Sequence, residues 1–239
     1  MYSNYDHNQY DYSYDARQVG LSWSEYLTGT FRWMTIGLAV TFVTAYLTAT
    51  TPVLFRIASA LFLPLTIVEL VLVMWLSVRV QNMQVSTARG VFLGYSFVNG
   101  LVFSMYFLLF DLGSLMMAFL AAAVFFGLSA LHGARTQNDL SAWGPRLLNG
   151  LLAMIIASVV GMLFGFGFVG SLLYCGLGVL LFLGLTAYDV QKLQHYYYAF
   201  AYDEEMAEKS AIFGALGLYL DFINIFLYLV RIFGRSRRD

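Results

Sequence analysis

Three acids lie where acids are costly. Glu69, Asp189 and Asp221 each interrupt a long apolar run, and charged groups at such places usually face protein or water and carry function. Two carboxyls close together in low dielectric cannot both ionise cheaply, so they share a proton and respond to pH. Their hard oxygens suit Ca²⁺ better than thiophilic metals. Arg79 ends the run that contains Glu69. It reads either as a cation that pairs with one of these acids or as an interfacial cation whose stem snorkels along the bilayer.

Such residues need a membrane to sit in, and the composition supplies it. The 239 residues are 60% hydrophobic and only 11% charged, with mean hydropathy +0.70. Soluble domains are about 45–50% apolar and about 25% charged. A transmembrane helix takes about 20 apolar residues, which predicts an all-α integral membrane protein with seven spans. The spans are expected over 27–49, 53–80, 90–110, 115–131, 147–166, 172–193 and 211–233, separated by Pro52, the polar piece 79–89, the turn 111–114, the loop 132–146, the turn 167–171 and the polar loop 195–209. Continuous apolar runs of this length do not alternate as barrel strands do. The domain plan is a polar, Tyr- and Asp-rich tail over 1–26, expected to be disordered, a membrane domain over 27–234 and a basic tail over 235–239. The polar start lacks the pattern of a secretory signal peptide.

At 1.5 Å per residue, Glu69 and Asp221 each lie roughly 15 Å along their helices from the same side, with Asp189 nearer that side. Overlapping depth suggests one shared polar site. The alternative is three acids, each satisfied locally. Arg17, Arg79, Arg89, Arg135, Arg146, Lys192 and Lys209 gather with the N-terminus, against Arg56 alone in the opposite loops. The positive-inside rule then puts the N-terminus in the cytoplasm. Arg231, Arg235, Arg237 and Arg238 would lie outside; a cytoplasmic tail would need an even number of crossings, with one segment re-entrant. Gly90/Gly94 and Gly161/Gly165 have helix-packing spacing and read as intramolecular contacts. Cys175, the lone cysteine, reads as a small buried hydrophobe.

The context of the acids is specific. One segment reads LGLTAYDVQKLQ (Leu183 to Gln194) and another ALGLYLDFINIFLYLVRIFG (Ala215 to Gly234). With FRWMTIGLAVTFVTAYL (Phe31 to Leu47), VELVLVMWLSVR (Val68 to Arg79) and FFGLSALHGARTQNDLS (Phe125 to Ser141), the chain resembles the Bax inhibitor-1 family, as a bacterial member, over most of its length after Leu27. The resemblance implies seven helices with the last one central among six. It implies a pH-sensitive Ca²⁺ leak channel in a bacterial plasma membrane. The aspartates that sense pH and gate match Asp189 and Asp221, the latching arginine Arg79, and the second-helix acid on the ion path Glu69. Asp189, Asp221 and Glu69 would make transient Ca²⁺ contacts, Ca²⁺ being the permeant ion and no cofactor being needed. His132 and Ala134 depart from aromatic positions usual in the family.

Four rival readings compete, one a regulator and three of them enzymes. Some bacterial relatives are thought to restrain a membrane-bound protease without transporting anything, and a protease complex would then be the partner besides lipid. An intramembrane aspartyl protease would use Tyr188–Asp189, but the Gly-x-Gly before a second aspartate and a Pro-Ala-Leu element are missing. Ser129 with His132 lacks fixed nucleophile–base geometry, and His7, His132 and His195 lack zinc-enzyme spacing. The chain therefore reads as no enzyme. A net charge of −1 with no basic stripe argues against nucleic acid.

Overall fold

The computed structural model describes residues 21–79, 82–165, 171–200 and 202–234. Residues 1–20 of the expected polar tail and all of the basic tail lie outside the described residues, while 23–26, read as the end of the tail, form the first turn of the first helix because Ser22 and Glu25 cap it. Within the described residues, the chain is all-α: α1 (Trp23–Thr50), α2 (Pro52–Ala60), α3 (Phe62–Arg79), α4 (Val85–Phe103), α5 (Tyr106–Leu109), α6 (Leu112–Arg135), α7 (Gly144–Phe164), α8 (Leu172–Phe200) and α9 (Glu204–Phe233). Six stretches are each long and apolar enough to cross a bilayer, and α2 with α3, bent by 72° at the break between them, makes a seventh where the pair is counted as one span.

Local chemistry sets the ends. Ser22 and Glu25 form a capping box at α1, the Glu25 amide donating to Ser22 Oγ at 3.3 Å and the Ser22 amide to Glu25 Oε2 at 2.9 Å. Such a box satisfies two amides that the first turn leaves unpaired. Asp111 caps α6, accepting from the Ser114 amide at 2.9 Å and the Ser114 hydroxyl at 2.6 Å. These bonds hold its carboxyl below the usual value. Asp203 caps α9 through the Met206 amide, and Glu204 and Glu205 in the first turn complement the helix dipole. Gly165, at φ 71°, ends α7 in the left-handed region that favours glycine.

Two departures from the sequence-based spans have plain causes. The single span expected over 53–80 is broken at Leu61. Pro64 has no N–H for the Ala60 carbonyl, and its ring would strike that carbonyl in a continuous helix. In the first turn of a new helix the missing donor costs nothing, so α3 starts at Phe62. The expected polar loop over 195–209 is mostly helical: α8 runs on to Phe200 and α9 begins at Glu204. Polar residues there mark the end of the bilayer, not the end of the helix.

The last helix is central. It packs against α8, α1, α6 and α4, and 61% of its apolar window is buried inside the protein, against 11% for α7. Ile212, Leu216 and Tyr219 on one face and Leu218, Asp221 and Ile225 on the opposite one are all buried, while Phe213, Gly217, Leu220 and Asn224 form a half-buried stripe between them, so the helix is enclosed over most of its circumference.

Contacts at one end also fix the parity of the crossings. Tyr26 bonds Ser210 through their hydroxyls at 3.0 Å, and Trp23 packs on Tyr197. Arg89 pairs with Glu208, and Gln191 bonds both Asn138 O and the Leu140 amide, at 2.8 and 2.7 Å. The start of α1 and the α3–α4, α6–α7 and α8–α9 connections therefore share one side. At the other side Gly234, just past α9, lies against the Phe110 ring beside the start of α6. The two ends of the helical domain are on opposite sides, so the number of crossings is odd.

The Gly90/Gly94 pair does not pack as expected, and of the second pair Gly161 is buried while Gly165 at the end of α7 is open. A Cβ on Gly90, Gly94 or Gly165 would meet nothing within 4 Å. Close approach occurs instead at Gly37 against Phe92, Gly100 against Thr41 and Thr44, Gly133 against the Ala187 backbone and Gly178 against Tyr228. Glycine pairs at GxxxG spacing are common in membrane helices, and spacing alone does not say which face a pair lies on.

Candidate functional site

The tightest helix pair, α8 with α9, holds both aspartates. Asp221 is 4% exposed, and its Oδ2 has no hydrogen-bond partner among the described residues. Thr186 lies beside it, and Asp189 is its charged neighbour. The Thr186 hydroxyl also donates to the Phe182 carbonyl one turn back, at 2.8 Å. Thr186 and Asp189 are three residues apart, so one face of α8 carries both.

Gly217 sets how closely Asp189 approaches. A Cβ at Gly217 would lie 2.9 Å from Asp189 Oδ2. Gly217 and Asp221 are four residues apart, one turn along the same face of α9. The Asp189 carboxylate therefore rests on bare backbone one turn from Asp221. Next to it is a cavity of about 90 Å³ lined by Asp189, Lys192, Leu193, Tyr196, Phe213 and Gly217 among others, with room for more than one water. Lys192 Nζ lies 5.6 Å from the Tyr196 ring, 5.6 Å from Phe213 and 5.9 Å from Tyr188, which is cation–π range. A carboxylate and an aromatic-caged ammonium thus share the mouth of the aspartate site.

Glu69 lies elsewhere. Its Oε1 accepts from the Asn99 side-chain amide and from the Tyr95 hydroxyl, the latter at 3.3 Å. The Tyr95 ring meets the Tyr219 ring edge to face at 5.8 Å. The Tyr219 hydroxyl in turn bonds Thr41 Oγ1 at 2.6 Å, while Thr41 donates to the Ser96 carbonyl at 2.9 Å. Tyr219 and Asp221 are two residues apart, or about 200° around the helix. Glu69 therefore belongs to a network on the opposite face of α9 from the aspartate pair. The single site expected for three acids is two sites, because α9 lies between them and presents Tyr219 to one and Asp221 to the other. Among the described residues, no three His, Cys, Asp or Glu side chains gather to hold a metal ion.

The Tyr219→Phe change keeps the ring contacts and removes the bond to Thr41. It should lower stability by about 1 kcal/mol, read as an earlier thermal transition in detergent. An unchanged transition would mean that the Thr41–Ser96 bond alone holds α1 to α4 there.

Arg79 is exposed at the end of α3, and α3 packs chiefly on α4. The two ion pairs among the described residues are Arg89–Glu208 and Lys209–Glu205, so Arg79 is not engaged with either aspartate. Arg89 also lies 5.3 Å from the Trp33 ring, which ties α4 to α1 and α9 at that end. The Ser129 hydroxyl donates to the Leu183 carbonyl; it joins α6 to α8 and is not set toward His132. Cys175 is fully buried.

The relationship to known proteins follows the same residues. The family model described as inhibitor of apoptosis-promoting Bax1 matches residues 24–238. The chain belongs to the Bax inhibitor-1 family. It is 40% identical over 212 residues to an uncharacterized protein of Deinococcus radiodurans, covering 89% of this chain and 90% of that one. It is 36% identical over 223 residues to an uncharacterized protein of Borreliella burgdorferi, covering 90% and 94%. It is also 36% identical over 217 residues to the inner membrane protein YbhL of Escherichia coli, covering 89% and 92%. These relatives are bacterial, which places a Bax inhibitor-1 protein with this helical domain in a bacterial plasma membrane.

The sequence pointed to Asp189 and Asp221 and passed over the residues that position them. Thr186 and Gly217 carry a signal in their offsets, three before Asp189 and four before Asp221. Asn99, Tyr95 and Thr41 carry none, because their roles depend on which helices become neighbours.

Proposed function

We propose that this chain is a pH-sensitive Ca²⁺ leak channel in which Asp189 and Asp221 form the sensor and gate. The observation that carries the reading is the buried Asp221 carboxyl with its unpartnered Oδ2, beside Asp189 and the 90 Å³ cavity. A buried polar atom without a partner is expensive, and a proton or a passing cation would satisfy it. Two carboxyls offer fewer oxygens than the six to eight of a resident Ca²⁺ site, which suits an ion that must leave as well as enter.

Glu69 is then a second acid on the ion path, separated from the pair by α9 and Tyr219. The Arg79 latch belongs to another state of the protein, reached when α3 swings from α4 toward α8. The N-terminal side, rich in Arg and Lys, faces the cytoplasm by the positive-inside rule. Residues 27–234 act as one membrane domain.

The test is Ca²⁺ entry into proteoliposomes between about pH 6 and pH 8, compared with protein-free vesicles. Protein-dependent flux that changes with pH is expected. Folded protein that passes no Ca²⁺ at any pH would sink the leak and favour a regulator of a membrane-bound protease, which acts through its surface.

A further inference from the structure

We infer that a groove between α6 and α7 is a binding site for one anionic glycerophospholipid from the surrounding leaflet. α7 takes its main support from α8, while α6 packs on α8 and α9. A groove of about 610 Å³ remains between α6 and α7, with α8 as its floor. Ligand sites typically measure about 300–1,000 Å³.

Its lining changes character along its length. Phe125, Leu128 and Leu183 line an apolar stretch, and Leu128 is 62% exposed on the outer rim. His132, Trp143 and Tyr188 line the end next to the α6–α7 connection. Aromatic groups with polar tips mark the headgroup level of a bilayer. Two cations flank that end: Arg135 in the last turn of α6 and Arg146 in the first turn of α7. The Arg146 guanidinium is held 5.5 Å over the Trp143 ring. The acid in the connection, Asp139, accepts from the Ser141 amide at 2.8 Å.

The polar end is preformed. Gln191 bonds the connection at Asn138 and Leu140, and Gln194 donates to the Ala134 carbonyl at 3.1 Å. The groove thus offers an apolar trough for an acyl chain, ending in a histidine, with two arginines on the flanking helix turns from which to reach a phosphate. That pairing of apolar length with cationic end is the complement of an anionic phospholipid and of nothing else that a bilayer supplies in quantity.

Trp143 makes the test local. A protein carrying Trp23→Phe, Trp33→Phe and Trp75→Phe keeps Trp143 as its single tryptophan. It is reconstituted with phosphatidylglycerol or phosphatidylcholine brominated in the acyl chain, at equal mole fractions. Trp143 should be quenched preferentially by the anionic lipid, with a relative affinity of roughly fivefold for each engaged arginine. Arg135→Gln with Arg146→Gln, both at exposed positions, should abolish the preference without loss of helicity. Equal quenching by the two lipids would overturn the proposal, as would a preference that survives both changes. Shielding of Trp143 from both lipids would also overturn it and point to a second copy of the chain over the groove.

Discussion

In proteoliposomes, Asp221→Asn should abolish the pH dependence of Ca²⁺ flux, and Asp189→Asn should do the same. The asparagine is nearly isosteric, so the α8–α9 contact persists while the titrating proton is removed. Asp221 is buried and its Oδ2 is unpartnered, while Asp189 rests on the backbone at Gly217 one turn away. Two such groups share a proton and titrate in steps that belong to the pair, so either change alone removes the shared step, and the double variant should add little. A one-proton switch can change an equilibrium by at most about tenfold per pH unit, which sets the size of the effect in wild type. Gly217→Ala provides a geometric control. Its Cβ would press on Asp189 Oδ2 from 2.9 Å, and the flexible carboxylate can move aside. That variant should shift the midpoint of the flux–pH curve and keep its slope. Two Asn variants that both retain the wild-type slope would remove these aspartates from the sensor.

The sequence made the membrane class, the helix order and the aspartate pair legible, because each rests on local evidence. Apolar length defined the spans and the YLDFINIF string carried the family, whereas the helix starts at the Ser22/Glu25 box and at Asp203 fell in segments read as tail and loop. What it could not supply was the face each residue presents to its neighbours. Depth along the axis grouped Glu69 with Asp189 and Asp221, but depth is one coordinate of three. The second is angle around α9, where Tyr219 and Asp221 point nearly opposite ways, and it becomes decisive because α9 lies between the two sites. The same blindness explains the glycines. Gly90/Gly94 has the spacing of a packing motif and lies on an open face, whereas Gly133 has no such partner in sequence and meets the α8 backbone. Pro64 is the opposite case. The broken second span was available in the sequence, since a proline four residues after Ala60 forbids a continuous helix there.

Gly133→Ala should be the most disruptive single methyl added to this protein. Its Cβ would lie 2.8 Å from the Ala187 Cα and 2.9 Å from its carbonyl carbon, with the carbonyl oxygen closer still. These are backbone atoms inside α8, so no side-chain rotation relieves them, and α6 must move away from α8. Overpacking of this kind costs about 1–3 kcal/mol. The disturbance falls two residues before Asp189, so it should also move the aspartate pair out of register and alter flux. Gly90→Ala and Gly94→Ala make the contrast. Each adds a methyl within α4 that meets nothing within 4 Å, and replacing glycine within a helix should stabilise it by roughly 0.5–1 kcal/mol. Thermal unfolding in detergent should therefore come earlier for Gly133→Ala and slightly later for the other two. A Gly133→Ala protein as stable as wild type would show that α6 and α8 do not meet backbone to backbone. A loss of stability in Gly94→Ala would show that the open face of α4 is covered in the membrane by something a Cβ can strike.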